Sequence, residues 1–165
     1  MNKKQKGFSL IELLIVVAII LIIAAIAIPN LLRARIAANE ASAVGSIRSV
    51  VTAEVTYSST WGTGFSTNLT KLGGANPCTA SAATACLIDQ VLAGGSKSGY
   101  TIAAPGGAIV AGITQTFAAS AVPITLGQTG QRSFCSDESG VVRFDPTGVT
   151  VAATDVVCQG LTALQ

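Results

Sequence analysis

The chain has 165 residues, ten Lys and Arg against eight Asp and Glu, no histidine, and a composition that is 50% hydrophobic and only 11% charged. A soluble domain carries about 25% charged residues, so the deficit points to a chain partly housed in lipid, and its length suits one domain with an appendage and not two catalytic domains. Without histidine, Ser-His-Asp triads, His-ligated metals and His acid-base chemistry are excluded, and a net charge of +2 makes no case for nucleic-acid binding.

The positive charge is gathered at Lys3, Lys4 and Lys6, ahead of an apolar run that begins at Phe8. From Phe8 to Ile28 only Ser9 and Glu12 interrupt the apolar residues. At about 1.5 Å per residue this run reaches roughly 32 Å as a helix, the thickness of a bilayer's hydrocarbon core. The preceding lysines predict a cytoplasmic N-terminus, with everything after Ile28 on the far side. An ordinary secretory signal peptide has a shorter apolar run of about 7 to 15 residues, and no carboxylate near its start. Glu12 is costly in such a helix unless something pairs with it, and the next basic residue along the chain is Arg33. A partner from another molecule is therefore expected; cleavage after Gly7 would create one, the free amine of Phe8 on a neighbouring copy.

The stretch Lys6-Gly7-Phe8-Ser9-Leu10-Ile11-Glu12-Leu13-Leu14-Ile15-Val16 resembles the class III signal of type IV prepilins and pseudopilins. That resemblance implies an α+β pilin fold, a long hydrophobic and amphipathic helix packed against a small antiparallel sheet. It also implies a membrane peptidase that cuts at Gly7, N-methylation of Phe8, a role for Glu12 in assembly, and a helix kink at Pro29. The implied partners are other pilin copies in a homopolymer, the prepilin peptidase, an inner-membrane assembly platform, and membrane lipid before assembly; the surface ligand is left open. No cofactor is implied. On this reading residues 1–7 are a cytoplasmic leader, 8–28 a transmembrane segment and filament core, 29–58 an amphipathic half-helix, and 59–165 a globular headgroup.

After Pro29 the residues stay helix-favouring to Ser58, and Val44, Ile47, Val51 and Val55 recur at helical spacing, with Ala43 and Val50 widening the apolar arc. Glu54 falls on that arc, and a bond to headgroup backbone is the one role its position suggests. Arg33 and Arg35, just past the apolar run, read either as lipid-headgroup anchors or as solvated charges. Beyond Trp61-Gly62-Thr63-Gly64 the sequence predicts helical turns at 68–72 and 86–93. Strands are expected at 100–104, 114–121, 131–135 and 141–144. The stretch from Ala43 to Tyr57, the Trp61–Phe65 turn, and Phe134-Cys135-Ser136-Asp137 through Val142 also resemble pilins with compact headgroups.

Cys78, Cys86, Cys135 and Cys158 lie in the part directed out of the cytoplasm, where disulfides persist, and they allow three pairings. Loop size favours Cys78 with Cys86 and Cys135 with Cys158, and the second resembles the C-terminal disulfide loop of many pilins. A four-cysteine zinc site lacks the close Cys-x-x-Cys pairs it would need. Gly94-Gly95-Ser96-Lys97-Ser98 lacks the first glycine of a P-loop, and Asn68-Leu69-Thr70 is a glycosylation sequon in form. No metal is expected from the residues themselves. By resemblance to major pseudopilins, Asp137, Asp145 and Asp155, with Glu138 nearby, are candidate calcium ligands, although no Asp-x-Asp-x-Asp-Gly run is present and solvated loop acids are the plain alternative.

Two readings of function remain. One is the structural subunit of a type IV pilus, with headgroups outside to meet surfaces, DNA or other cells; the other is a pseudopilin of a type II secretion system. An enzyme is disfavoured because no nucleophile and base pair is recognisable.

Overall fold

The computed structural model describes residues 8–149 and 155–164, without the side chains of residues 155 and 156. The chain divides into two compact units, Met1–Arg35 and Ile36–Gln165, and helix α1, Leu10–Trp61, contributes to both.

In the first unit α1 is apolar on every side from Leu13 to Ile28, and its large hydrophobic side chains are exposed, from Leu10 at 80% to Leu32 at 42%. A helix that is hydrophobic all round belongs in a protein core or in lipid. This one is long and apolar enough to cross a membrane. Pro29 lies inside the helix, where it has no N–H to donate to the preceding turn.

In the second unit α1 is amphipathic. Ala43, Ile47, Val50, Ala53 and Tyr57 form its buried face and share one core with Tyr100, Ile102, Phe117, Ala119, Ala121 and Phe134 of the sheet. The helix ends at Trp61, three residues past the expected boundary at 58. Ser59 and Thr60 donate their hydroxyls back to Thr56 O, the Trp61 ring lies 4.9 Å from that of Tyr57, and Gly62 then takes the left-handed conformation that ends helices.

The main sheet has six strands: β1 (Ser96–Lys97), β2 (Tyr100–Ala103), β5 (Ala118–Pro123), β6 (Ser133–Asp137), β7 (Arg143–Asp145) and β8 (Thr162–Ala163), in the order β1-β2-β5-β6-β7-β8 with every neighbour antiparallel. The register sets Ile102 opposite Ala121, Ala121 opposite Phe134, and Phe134 opposite Phe144. This is the expected pilin fold, a long N-terminal helix with a small antiparallel sheet. The short strands β3 (Ile109–Val110) and β4 (Ile113–Thr114) form a separate hairpin.

Several element boundaries differ from expectation, each for a local reason. The strand expected at 114–121 is divided between β4 and β5, because Gln115 N–H turns to Ala108 O and Gly107 N–H to Thr116 O. The strand expected from Gln131 starts at Ser133, because the N–H groups of Gln131 and Arg132 go to the Glu40 carboxylate. The helical turn expected at 86–93 contracts to α3, Gln90–Ala93. Asp89 caps it through Leu92 N–H, while Ala85, Cys86 and Leu87 bond instead to Lys71, Gly73 and Leu72. Asn68 caps α2, Leu69–Leu72, through Lys71 N–H, and Thr70 donates its hydroxyl to the same Asn68 oxygen. A fourth short helix, α4 (Asp155–Gln159), was not anticipated.

Three buried carboxylates join these parts. Glu40 of α1 accepts from Gln131 N–H, Arg132 N–H and two nitrogens of the Arg132 guanidinium, whose carbon lies 5.4 Å from the ring centroids of both Phe134 and Phe144. Asp137 accepts from the N–H and hydroxyl of Ser139 and pairs with Arg143 at 3.3 Å. Burial pushes its carboxyl up, but these hydrogen bonds and the Arg143 charge outweigh burial and leave it below the ordinary value. Glu54, the acid on the apolar arc, accepts Ser66 N–H at 2.7 Å and the Ser66 hydroxyl at 2.6 Å.

Candidate assembly site at the start of the long helix

Ser9 is the residue before the first turn of α1, and Glu12 is the third residue of that turn. Ser9 N–H donates to Glu12 Oε2 at 2.9 Å. This is one half of a capping box, in which a side chain at the third helical position satisfies a backbone donor that the helix leaves without a partner. A carboxylate in the first turn also meets the positive end of the helix dipole. Glu12 therefore has a neutral backbone donor within its own turn, besides the charged partner that the sequence reading expects from another molecule. The Ser-x-x-Glu spacing at residues 9–12 was the signal for it. One contact leaves most of a carboxylate's acceptor sites open, and Phe8, four residues earlier in the chain, is 79% exposed. Gly7 and the three lysines lie outside the described residues.

Further along, Arg33 and Arg35 are exposed and form no ion pair among the described residues. The structure joins Cys78 to Cys86 and Cys135 to Cys158, with Cα separations of 6.0 and 5.9 Å. The second bond ties α4 to β6. Of the candidate calcium acids, Asp137 and Asp145 make separate local contacts. Asp137 is buried on Ser139 and Arg143, Asp145 accepts from the N–H and hydroxyl of Thr147, and the Asp155 side chain is outside the described residues. Among the described residues no group of three or more Cys, Asp or Glu side chains is arranged to hold a metal.

The N-terminal sequence has a counterpart in known proteins. Residues 2–28 match the prokaryotic N-terminal methylation motif. The chain is 66% identical over 38 residues to the type IV wide pilus major component PilA4 of Thermus thermophilus, covering 23% of this chain and 29% of that protein. It is 43% identical over 56 residues to the type IV major pilin protein PilA of Myxococcus xanthus, covering 34% of this chain and 26% of that protein. The chain thus spans between a quarter and a third of the length of these relatives. No solved structure matches it. Together the motif and the partial matches support the type IV pilin and pseudopilin family without selecting one member, and the relatives matched are filament components by name.

Proposed function

We propose that this chain is a structural subunit of a type IV pilus. The observation that carries the reading is the methylation motif over residues 2–28, which runs into a helix apolar enough to cross a membrane, together with partial matches to two proteins named as major pilus components. A peptidase cuts after Gly7 and Phe8 is methylated, which retains the cation on its amine. Until assembly the helix of residues 8–28 holds the subunit in the inner membrane as a single-pass precursor with its headgroup in the periplasm. An assembly platform then stacks copies into a homopolymer, and the apolar side chains exposed along α1 are buried against those of neighbours. Glu12 of each copy attracts the Phe8 amine of another. The Ser9 contact holds the carboxylate at the helix start, where that amine arrives.

Intact-mass spectrometry of the native protein tests the processing, which predicts a mature chain that begins at Phe8 with one added methyl group. Glu12→Ala tests assembly. Membrane insertion survives, because removing a carboxylate from an apolar helix relieves a cost, while the yield of filaments sheared from cells falls sharply. Wild-type yield from Glu12→Ala would refute the pairing. A wild-type chain that forms only short periplasmic filaments would instead assign it to a secretion system as a pseudopilin.

A further inference from the structure

Of the three buried carboxylates among the described residues, Glu40 faces Arg132 and Asp137 faces Arg143, while Glu54 has only Ser66. Glu54 is 0% exposed and Ser66 1%. The surrounding elements bring no charge to the pair. Along α1 the neighbouring core residues are Val50, Ala53 and Tyr57, and the Tyr57 hydroxyl is donated elsewhere, to Ala82 O. Residues 62–68 carry no ionisable side chain. The turn at 105–107 comes so close that a Cβ on Gly106 would lie 2.7 Å from Ser66 O, and it carries none either. Thr114 and Phe117, which contact the neighbouring Phe65, are uncharged as well. Lys71, the nearest cation in sequence, forms no ion pair among the described residues.

The hydrogen bonds then count protons. Ser66 Oγ lies 2.6 Å from Glu54 Oε1 and 3.0 Å from Asn68 O, two acceptors for a hydroxyl that has one proton. With Glu54 ionised, the hydroxyl serves one of them and the other loses it. With a proton on Oε1 every contact is used: Glu54 donates to Ser66 Oγ, Ser66 Oγ donates to Asn68 O, and Ser66 N–H donates to Oε2.

We propose that Glu54 and Ser66 form a proton-holding latch that keeps the C-terminal end of α1 fastened to residues 62–68, closed while the carboxyl is neutral and loosened when it releases its proton to solvent. The latch reaches beyond the pair. Phe65 N–H bonds to Thr114 O, and Gly106 N–H bonds to Thr67 O, so the same loop carries the β3–β4 hairpin and the turn before it. Loosening it frees the part of the headgroup that displays Ile109, Val110 and Ile113.

Burial raises the Glu54 carboxyl above its ordinary value, against the lowering effect of the Ser66 hydrogen bonds. A raised acid adds stability that is complete below its unfolded value and is lost as pH rises through its folded value. Asp137, shifted the opposite way, loses its contribution only below about pH 4, and Tyr100 acts only above about pH 10, so the range between them reports on Glu54.

The test uses the full chain in detergent micelles, labelled with carboxyl-13C glutamate. Infrared spectra taken through a pH titration are expected to show the C=O stretch of an un-ionised carboxyl that outlasts the ordinary glutamate range of about pH 4, shifts in Ser66→Ala and persists in Glu12→Gln. Between about pH 4 and pH 9 the thermal midpoint should fall in the wild type and stay level in Glu54→Gln. A Glu54 carboxyl that ionises within or below the ordinary glutamate range of about pH 4, or coincident pH profiles for wild type and Glu54→Gln, would overturn the latch. If Glu54→Gln does not fold, the wild-type and Ser66→Ala spectra decide alone.

Discussion

Glu40→Ala removes four hydrogen bonds in one step, two from backbone N–H groups and two from the Arg132 guanidinium. Breaking a fully buried pair costs about 3–5 kcal/mol because the remaining charge is stranded. Here the two sides differ. The Glu40 side chain is 10% exposed and that of Arg132 is 39%, so after the change the guanidinium still reaches water and the screened figure applies to it. Gln131 is exposed and its N–H can hydrate, which leaves the Arg132 N–H and lost packing as the remaining penalty. The expected loss is about 2 kcal/mol, or roughly 6–10 °C in the unfolding midpoint for a unit of this size. Unfolding of the full chain in micelles, followed through its single tryptophan, Trp61, measures it. Lys97→Met, which breaks the exposed pair with Asp89, is the control and should stay within about 0.5 kcal/mol. If Glu40→Ala cost no more than Lys97→Met, the clamp between α1 and the 131–132 backbone would not contribute to stability as argued.

Tyr100 donates its hydroxyl to Arg132 O, and burial first, then the Glu40 charge, pushes its phenol up to about 12. Alkaline titration should therefore show one tyrosine ionising well above the ordinary value, moved down in Glu40→Gln, with stability lost as pH rises from about 10 toward that point; no change in Glu40→Gln would contradict the assigned cause. Gly130→Ala would set a Cβ 2.0 Å from the hydroxyl oxygen of that fully buried tyrosine and should destabilise by about 3 kcal/mol or prevent folding, as read by expression and unfolding. Peptide mapping without reductant should recover Cys135 linked to Cys158, and Cys158→Ser should cost about 3 kcal/mol for a loop of this length. Free thiols or crossed pairs would contradict that connectivity.

The long helix and the sheet were legible because their signals are local: an apolar run, a 3.6-residue arc, and strands set off by glycine. The places where sequence reading stopped short are those where a side chain finds a partner far along the chain. Nothing near Glu40 announces that its acceptors are needed 91 and 92 residues later, and that demand is what delays β6 to Ser133. Glu54 stood out as a misplaced acid, but Ser66, 12 residues on and past two turn glycines, could be identified only once the chain had closed on itself. Glu12 is the opposite case. Its backbone donor, Ser9 N–H, is only three residues away in an ordinary capping pattern.

The Cys135–Cys158 bond also bears on how the headgroup would respond to being pulled. An extended chain gains about 3.5 Å per residue, so the 23-residue separation withholds roughly 80 Å of slack that tension could otherwise draw out, and the 8-residue separation of Cys78 and Cys86 withholds roughly 30 Å more. A tensile load can part α4 and β8 from the strands beside them only as far as the covalent tether allows. While both bonds are oxidised the headgroup has a short reach under force, and a reducing agent would lengthen it.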